Sequence, residues 1–357
     1  MSGPGAAAAT PAGAVRLGLM GPFSGAAASF GQEMLKAAQM AIDEANAGGG
    51  LNGRRLTLDQ GDDKADPSGA PAVAQKLVAD GAPAAVGPAT SGSALAAAPA
   101  FNQANVPMIT PTASDPRITE QGLPFVFRAT GRWDQEPPLI AARLRSQAAT
   151  AKVALVSDKS AYGQLLAAGM RQALSSAGVA PVAEESVEGE AKDFEPVVAK
   201  VKAQGAGSVF YGGYAPEGAA LAKALRAAGW QGQIAMGDAA EDQALITAGG
   251  QAVEGLLLAY ALDPRQTGAA SFLDGFKRRY GTAASLYAVS TYDAVRLALD
   301  ALRRADKVDG EAVRRALAER DFPGVYWGRM RFDAKGDLQA TTYALWQVRG
   351  GRFQQLG

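Results

Sequence analysis

The chain has 357 residues, which at about 150 residues per domain is enough for two buried cores. Its 35 basic side chains are matched by 35 acidic ones, so there is no positive excess to neutralise phosphates or an anionic membrane surface, and neither nucleic acid nor a membrane is expected as a direct partner. The count of histidines and of cysteines is 0, which excludes His-based triads, thiolate nucleophiles, ordinary zinc and iron–sulfur sites and disulfides, and leaves carboxylate, lysine or tyrosine chemistry or an oxygen-held cation.

Residues 1–14, MSGPGAAAATPAGA, lack a basic n-region and a bulky apolar h-region; they read as a disordered leader and not as an intact secretory signal. From Val15 short apolar runs alternate with amphipathic stretches, the pattern of βα units on a parallel sheet. Val15 to Met20 reads as a strand, and Phe30 to Asn46 as a helix with Met34, Ala37, Ala38, Ala41, Ile42 and Ala45 at helical spacing, stopped by Gly48, Gly49 and Gly50. A strand over Arg54 to Gln60, a helix over Pro67 to Asp80 with proline in its first turn, a strand over Ala84 to Gly87, a helix over Ser93 to Asn105 and a strand over Pro107 to Thr110 follow. Asp115 to Gly131 is rich in turn residues.

The rhythm restarts with a helix from Asp134 and continues through a strand at Lys152 to Ser157, a helix at Tyr162 to Ala177, a strand at Pro181 to Val187 and a helix at Asp193 to Gln204. A strand at Ser208 to Gly213, a helix at Pro216 to Ala228 and a strand at Gln233 to Gly237 complete a second doubly wound α/β lobe. Helices over Ala269 to Tyr280, Tyr287 to Arg304 and Gly310 to Ala318, strand-like MRFD, and a strand over Thr341 to Val348 must pack back on these lobes.

Gly48, Gly50 and Gly53 have the G-x-G-x-x-G spacing of a dinucleotide loop, but they follow a helix and precede a strand, so they read as a connecting turn. GPATSGS (Gly87 to Ser93) lies between a strand and a helix, where its hydroxyls and free N–H groups can hold an anion; the plainer reading is an N-cap by Ser91 or Ser93. TPTASDP (Thr110 to Pro116) repeats the arrangement after the next strand. Tyr214 and Asp238 end strands of the second half, with an interfacial aromatic and a helix N-cap as their plainer readings. Together the two edges are complementary to a zwitterion, with –COO⁻ toward the first lobe and –NH₃⁺ toward the second.

GPFSGAAASFG, AGGGLNGRRL, DDKADP, VGPATSGS, PMITPTASDP, DKSAYG, FYGGYAPE and KGDL occur in this order over nearly the whole chain. Together they resemble the periplasmic leucine/isoleucine/valine-binding proteins of ABC importers, within the type I periplasmic binding proteins. The resemblance implies two doubly wound lobes joined by a three-stranded hinge, with crossings near residues 131, 261 and 339. The N-terminal lobe would comprise 15–131 plus 262–339, and the C-terminal lobe 132–261 plus 340–357. It implies carboxylate-binding hydroxyls at Ser91 and Ser114 with the Thr112 backbone, ammonium ligands at the Thr112 carbonyl, Tyr214 and Asp238, a closing aromatic at Phe30, Tyr162 at the cleft, and Tyr287 lining the pocket. No cofactor and no catalysis are implied; the protein would be a periplasmic monomer that captures an amino acid and presents it to a membrane permease.

The chain departs from the family pattern in three ways. Ala65 and Thr90 stand where a relative carries a disulfide, Asp238 is one methylene shorter than the family's acidic ligand, and Phe30 replaces a tyrosine. These bear on which side chain is preferred, with alanine, phenylalanine and γ-aminobutyrate as alternatives to a branched-chain amino acid. Asp238 argues against an aromatic carboxylate without an amine. A ligand-sensing regulatory module would carry the same pocket, and an enzyme with Asp238 as base and Tyr162 as acid has no supporting motif.

Overall fold

A computed structural model describes residues 13–356 apart from 26, 147–149, 190, 192 and 340–342. The expected leader lies outside the described residues but for its last two, as does the start of the strand expected from Thr341.

The first half builds β1 (Val15–Gly21), α1 (Ala28–Ala47), β2 (Leu56–Asp62), α2 (Ala70–Ala79), β3 (Ala85–Val86), α3 (Ser91–Gln103), β4 (Met108–Thr110), α4 (Arg117–Glu120) and β5 (Val126–Arg128). Its five strands form one parallel sheet in the order β2-β1-β3-β4-β5. Leu17 and Leu19 of β1 and Met34, Ala37, Ala38, Ala41 and Ile42 of α1 are buried in its core, so the helical spacing in the sequence marks the inward face of α1. The glycine run after α1 is a connecting turn. At Gly50 φ is +72°, and an added Cβ would lie 2.1 Å from the Arg54 carbonyl oxygen, so only glycine fits.

The second half builds α5 (Glu136–Arg145), β6 (Val153–Asp158), α6 (Ala161–Ser176), β7 (Ala183–Val187), α7 (Glu195–Ala203), β8 (Ser208–Gly212), α8 (Ala215–Ala227), β9 (Gln233–Met236), α9 (Gln243–Gly249) and β10 (Leu257–Ala261). There follow α10 (Ala270–Tyr280), α11 (Leu286–Arg304), α12 (Gly310–Glu319), the small ladder of β11 (Phe322–Pro323) with β12 (Arg329–Met330), then β13 (Tyr343–Val348) and β14 (Phe353–Gln355). The second sheet runs β14-β13-β10-β9-β8-β6-β7; β6 to β10 pair in parallel, whereas β13 and β14 are antiparallel additions at one edge. Helices α10 and α11 return to pack on α1, and α11 also reaches β3 and β4, so the late helices belong with the first sheet.

Six elements were not expected from the sequence: α4, β5, α9, β10, β11 and β14. Several boundaries also move by up to three residues, among them two helix starts. Helix α2 starts at Ala70, leaving Pro67 in the preceding turn with Pro71 in the first helical turn, and α3 starts two residues early, at Ser91.

The stretch between the sheets is pinned by a buried ion network. Arg128, fully buried at the end of β5, directs Nε to Asp337 Oδ1 at 2.9 Å and Nη2 to Thr119 Oγ1 at 2.8 Å, while Arg132 Nη1 reaches the other Asp337 oxygen at 3.1 Å. The KGDL motif thus supplies the counter-ion for an arginine more than 200 residues earlier. Burial pushes the Asp337 carboxyl up, but the Arg128 charge and the hydrogen bonds from Thr119, Arg128 and Arg132 outweigh it and hold the group below its usual range.

Candidate ligand-binding cleft

Open α/β folds bind ligands beyond the carboxyl ends of parallel strands, where helix N-termini and loops converge. Here two such edges face one another. Phe30 enters from the first turn of α1, Ser91 from the first turn of α3, Thr112 and Ser114 from the loop after β4, Tyr162 from the first turn of α6, Tyr214 from the end of β8, Asp238 from the loop after β9, and Tyr287 from the first turn of α11. All eight residues singled out in the sequence, together with Thr90, line one cavity of about 330 Å³. A second hollow of about 280 Å³ shares Thr112, Asp238 and Tyr287 and extends to Thr130, Tyr260 and Tyr343 where the sheets join.

On the first wall, α3 presents an open N-terminus. Its cap position is Thr90, in extended geometry, and no side chain accepts a hydrogen bond from the first N–H groups. This corrects the plainer reading of GPATSGS: neither Ser91 nor Ser93 is the N-cap, and Ser91 lies inside the helix. The Thr90 and Ser93 hydroxyls are buried without a hydrogen-bond partner. Unsatisfied N–H groups, the positive end of the helix and buried hydroxyls are the kind of donors that can hold an anion. The Thr112 hydroxyl donates to the Ala89 carbonyl at 2.8 Å and ties the two loops of this wall together.

The opposite wall is acidic and aromatic. Asp238, 8 % exposed, accepts a hydrogen bond from the Tyr162 hydroxyl at 2.7 Å, and its own N–H donates to Glu136 Oε2 at 2.9 Å. Burial pushes the Asp238 carboxyl up to about 6, against the hydrogen bonds from Tyr162, Ala239, Ser114 and Glu136 that favour ionisation. Asp238 sits in a short 3₁₀ turn capped by Gly237, so its carboxylate is not spent as the helix N-cap of the plainer reading. Ser114, expected on the carboxylate side, lies near enough to Asp238 to favour its ionised form as well.

Aromatic rings close the remaining side. Phe30 and Tyr287 have centroids 4.7 Å apart, Phe30 and Tyr214 6.5 Å, and Tyr162 and Tyr214 5.4 Å. The Phe30 to Tyr287 contact follows from the pairing of α1 with α11, fixed by the Ser285 N–H and hydroxyl on Glu33. The Phe30 to Tyr214 contact spans the cleft, so the two walls touch and the cleft is closed. Two contributors escaped the sequence reading: Thr90, whose hydroxyl beside Ser91 was a local signal, and Glu136, which had none. Among the described residues no group of acidic, histidine or cysteine side chains is arranged to hold a metal ion.

The sequence profile of the periplasmic binding protein family matches residues 14–352. The chain belongs to this family. It is similar to an amino acid binding protein of Pseudomonas aeruginosa, 33% identical over 346 residues that cover 96% of this chain and 92% of that one. It is also similar to Leu/Ile/Val-binding protein homolog 1 of Brucella abortus, 31% identical over 337 residues covering 94% and 91%. Among solved structures it resembles the branched-chain amino acid transporter substrate-binding protein LivJ of Streptococcus pneumoniae in complex with isoleucine, with a TM-score of 0.86, 25% identity and coverage of 96% and 99%. The fold is that of a type I periplasmic binding protein with two lobes, in the branch that serves branched-chain amino acid ABC transporters, and the family binds solutes without transforming them. No helix among the described residues is long and apolar enough to cross a membrane.

Proposed function

We propose that this periplasmic binding protein captures an L-amino acid, with leucine, isoleucine and valine as the preferred class, in the cleft between its lobes. One juxtaposition carries the reading: an uncapped helix N-terminus with buried hydroxyls on one wall faces a buried carboxylate on the other across a single small cavity. A buried zwitterion needs a hydrogen-bonded partner for each charge, since otherwise desolvation forbids binding. Ser91, Ser114 and the α3 N–H groups take the carboxylate; Asp238, Tyr214 and the Thr112 carbonyl take the ammonium. Phe30, Tyr162 and Tyr287 leave an apolar, aromatic-lined space for the side chain.

Burying a leucine-sized side chain contributes about 1.5–3 kcal/mol, and one methylene discriminates by only about 1–3 kcal/mol, so selectivity within the aliphatic class is broad.

Ligand contacts to both walls favour the closed arrangement over an open one, and the closed surface is what a permease would read. The lobes in this account are 15–131 plus 262–339 and 132–261 plus 340–357, hinged where the chain passes between sheets. The protein acts as a monomer in the periplasm and delivers its ligand to an ABC permease. Calorimetric titration of protein freed of carried ligand by unfolding and refolding, against leucine, isoleucine, valine, alanine, phenylalanine and γ-aminobutyrate, tests this. Saturable heat strongest with the branched-chain members is expected, and silence across the panel from folded protein would overturn the reading.

A further inference from the structure

Behind Asp238 lies a second carboxyl group for which amine capture by Asp238 alone has no use. Glu136 is the first residue of α5 and is fully buried. Its Oε2 accepts the Asp238 N–H at 2.9 Å, and its Oε1 is buried without a partner. Gly237 lets this happen: a Cβ there would lie 2.9 Å from Glu136 Oε2 and 2.6 Å from the Tyr162 hydroxyl, so the two acids and the tyrosine converge on a backbone position with no room for a side chain. The charges that act most strongly on Glu136 are those of Asp238 and Asp134, both negative. Two ionised carboxylates could not share this space, and the oxygen without a donor is satisfied when it carries a proton itself and gives it to Asp238.

We propose that Glu136 is a positioning residue that stays a neutral acid, accepting the Asp238 N–H while donating its own proton to the Asp238 carboxylate, so that the pair presents one negative charge to the ligand amine. The inference rests on the reading of the cleft as an amino acid site and deepens it. The pair then matches a single ammonium in charge, and Asp238 is held in orientation by Tyr162 on one side and Glu136 on the other. The remaining ionisable groups that face the pair among the described residues are Tyr162 from α6, Tyr343 from β13, Tyr260 from β10, Tyr214 and Tyr287, all phenols that burial keeps neutral. Burial, followed by the Asp238 charge, pushes Glu136 well above its usual range, in line with the geometry.

The test compares Glu136→Gln and Glu136→Leu with the wild type by calorimetric titration of L-leucine across pH, with infrared difference spectra recorded in mildly alkaline buffer. Glutamine keeps an acceptor for the Asp238 N–H and a neutral donor for its carboxylate; leucine keeps neither. The expected result is affinity within about threefold of wild type for Glu136→Gln at neutral pH with the same acid limb near pH 6, and an acid limb raised by about one pH unit with at least about tenfold weaker binding for Glu136→Leu. The infrared band of a protonated buried carboxyl, present in the wild type, disappears in Glu136→Gln.

Binding about tenfold weaker in Glu136→Gln with an acid limb moved to lower pH would show an ionised Glu136 and overturn the proposal, as would a profile unchanged in Glu136→Leu or the lack of the infrared band. Failure of the wild type to bind any amino acid would instead refute the functional reading. The infrared spectra still decide the state of Glu136 in that case.

Discussion

Asp238→Asn separates the two things the Asp238 carboxylate does. In the closed cleft this group is pushed from its ordinary 3.8 up to about 6, so holding it ionised at neutral pH costs about 3 kcal/mol at about 1.4 kcal/mol per pH unit. A bound ammonium offsets that cost. In Asp238→Asn the ammonium would be buried without its counter-ion, a loss of about 3–5 kcal/mol, so the leucine Kd should rise by roughly 10²-fold or more. The ligand-free variant should unfold no more readily than wild type at neutral pH, because the buried charge is gone.

The sign of the pH effect follows from the raised value. Between about 4 and about 6 the closed protein holds a proton that the unfolded chain has released, so this contribution to stability is present in acid and is lost as pH rises through about 6. The stability advantage of Asp238→Asn should therefore appear above about pH 6 and vanish below about pH 4. Wild-type affinity for leucine should fall by about tenfold per pH unit below about 6 as Asp238 takes up its proton. Calorimetry for binding and urea unfolding across pH for stability read both effects. Leucine bound by Asp238→Asn within about threefold of the wild type would refute the assignment of Asp238 as the amine acceptor.

Two other perturbations test the opposite wall and the hinge. Ser91→Ala removes a hydroxyl from the carboxylate receptor and should weaken leucine by about 1.5–3 kcal/mol while leaving binding of leucinol, which has no carboxylate, unaffected by the substitution; an equal loss for both ligands would count against that role. Asp337→Ala strands the buried Arg128 guanidinium and should lower stability by about 3–5 kcal/mol in urea unfolding, whereas a loss under about 1 kcal/mol would contradict the ion network as the pin between the sheets. Because the Asp337 carboxyl is held below its ordinary 3.8, its contribution is intact above that value and is lost on further acidification, so wild type and variant should converge in strong acid.

The parts of the fold legible in the sequence are those with a long period. Met34 to Ile42 could be read as the buried face of α1 because five of their side chains repeat at helical spacing and meet the same sheet. β5 and β14 have three residues each, too short for a period, and β10 is a continuous apolar run that is buried on both faces, which periodicity does not separate from a helix segment. The cleft residues were legible for a related reason. Each follows a strand or opens a helix, and in a parallel α/β sheet those positions converge on one edge.

Side-chain direction was less legible. The open end of α3 belongs to Thr90, because a loop of consecutive hydroxyls does not reveal which one the helix leaves outside. Glu136 was silent because its partner is 102 residues away and its own neighbours, two prolines and a glutamine, describe only the start of a helix.

The central claim is that the cleft recognises an amine and a carboxylate together on one aliphatic ligand. The most direct measurement is a calorimetric comparison, on refolded wild-type protein, of L-leucine with its des-amino analogue 4-methylpentanoate and with benzoate. Saturable binding of leucine, with the two amine-free carboxylates at least about 10²-fold weaker, is the predicted result. Binding of 4-methylpentanoate or benzoate as tightly as leucine would contradict the account.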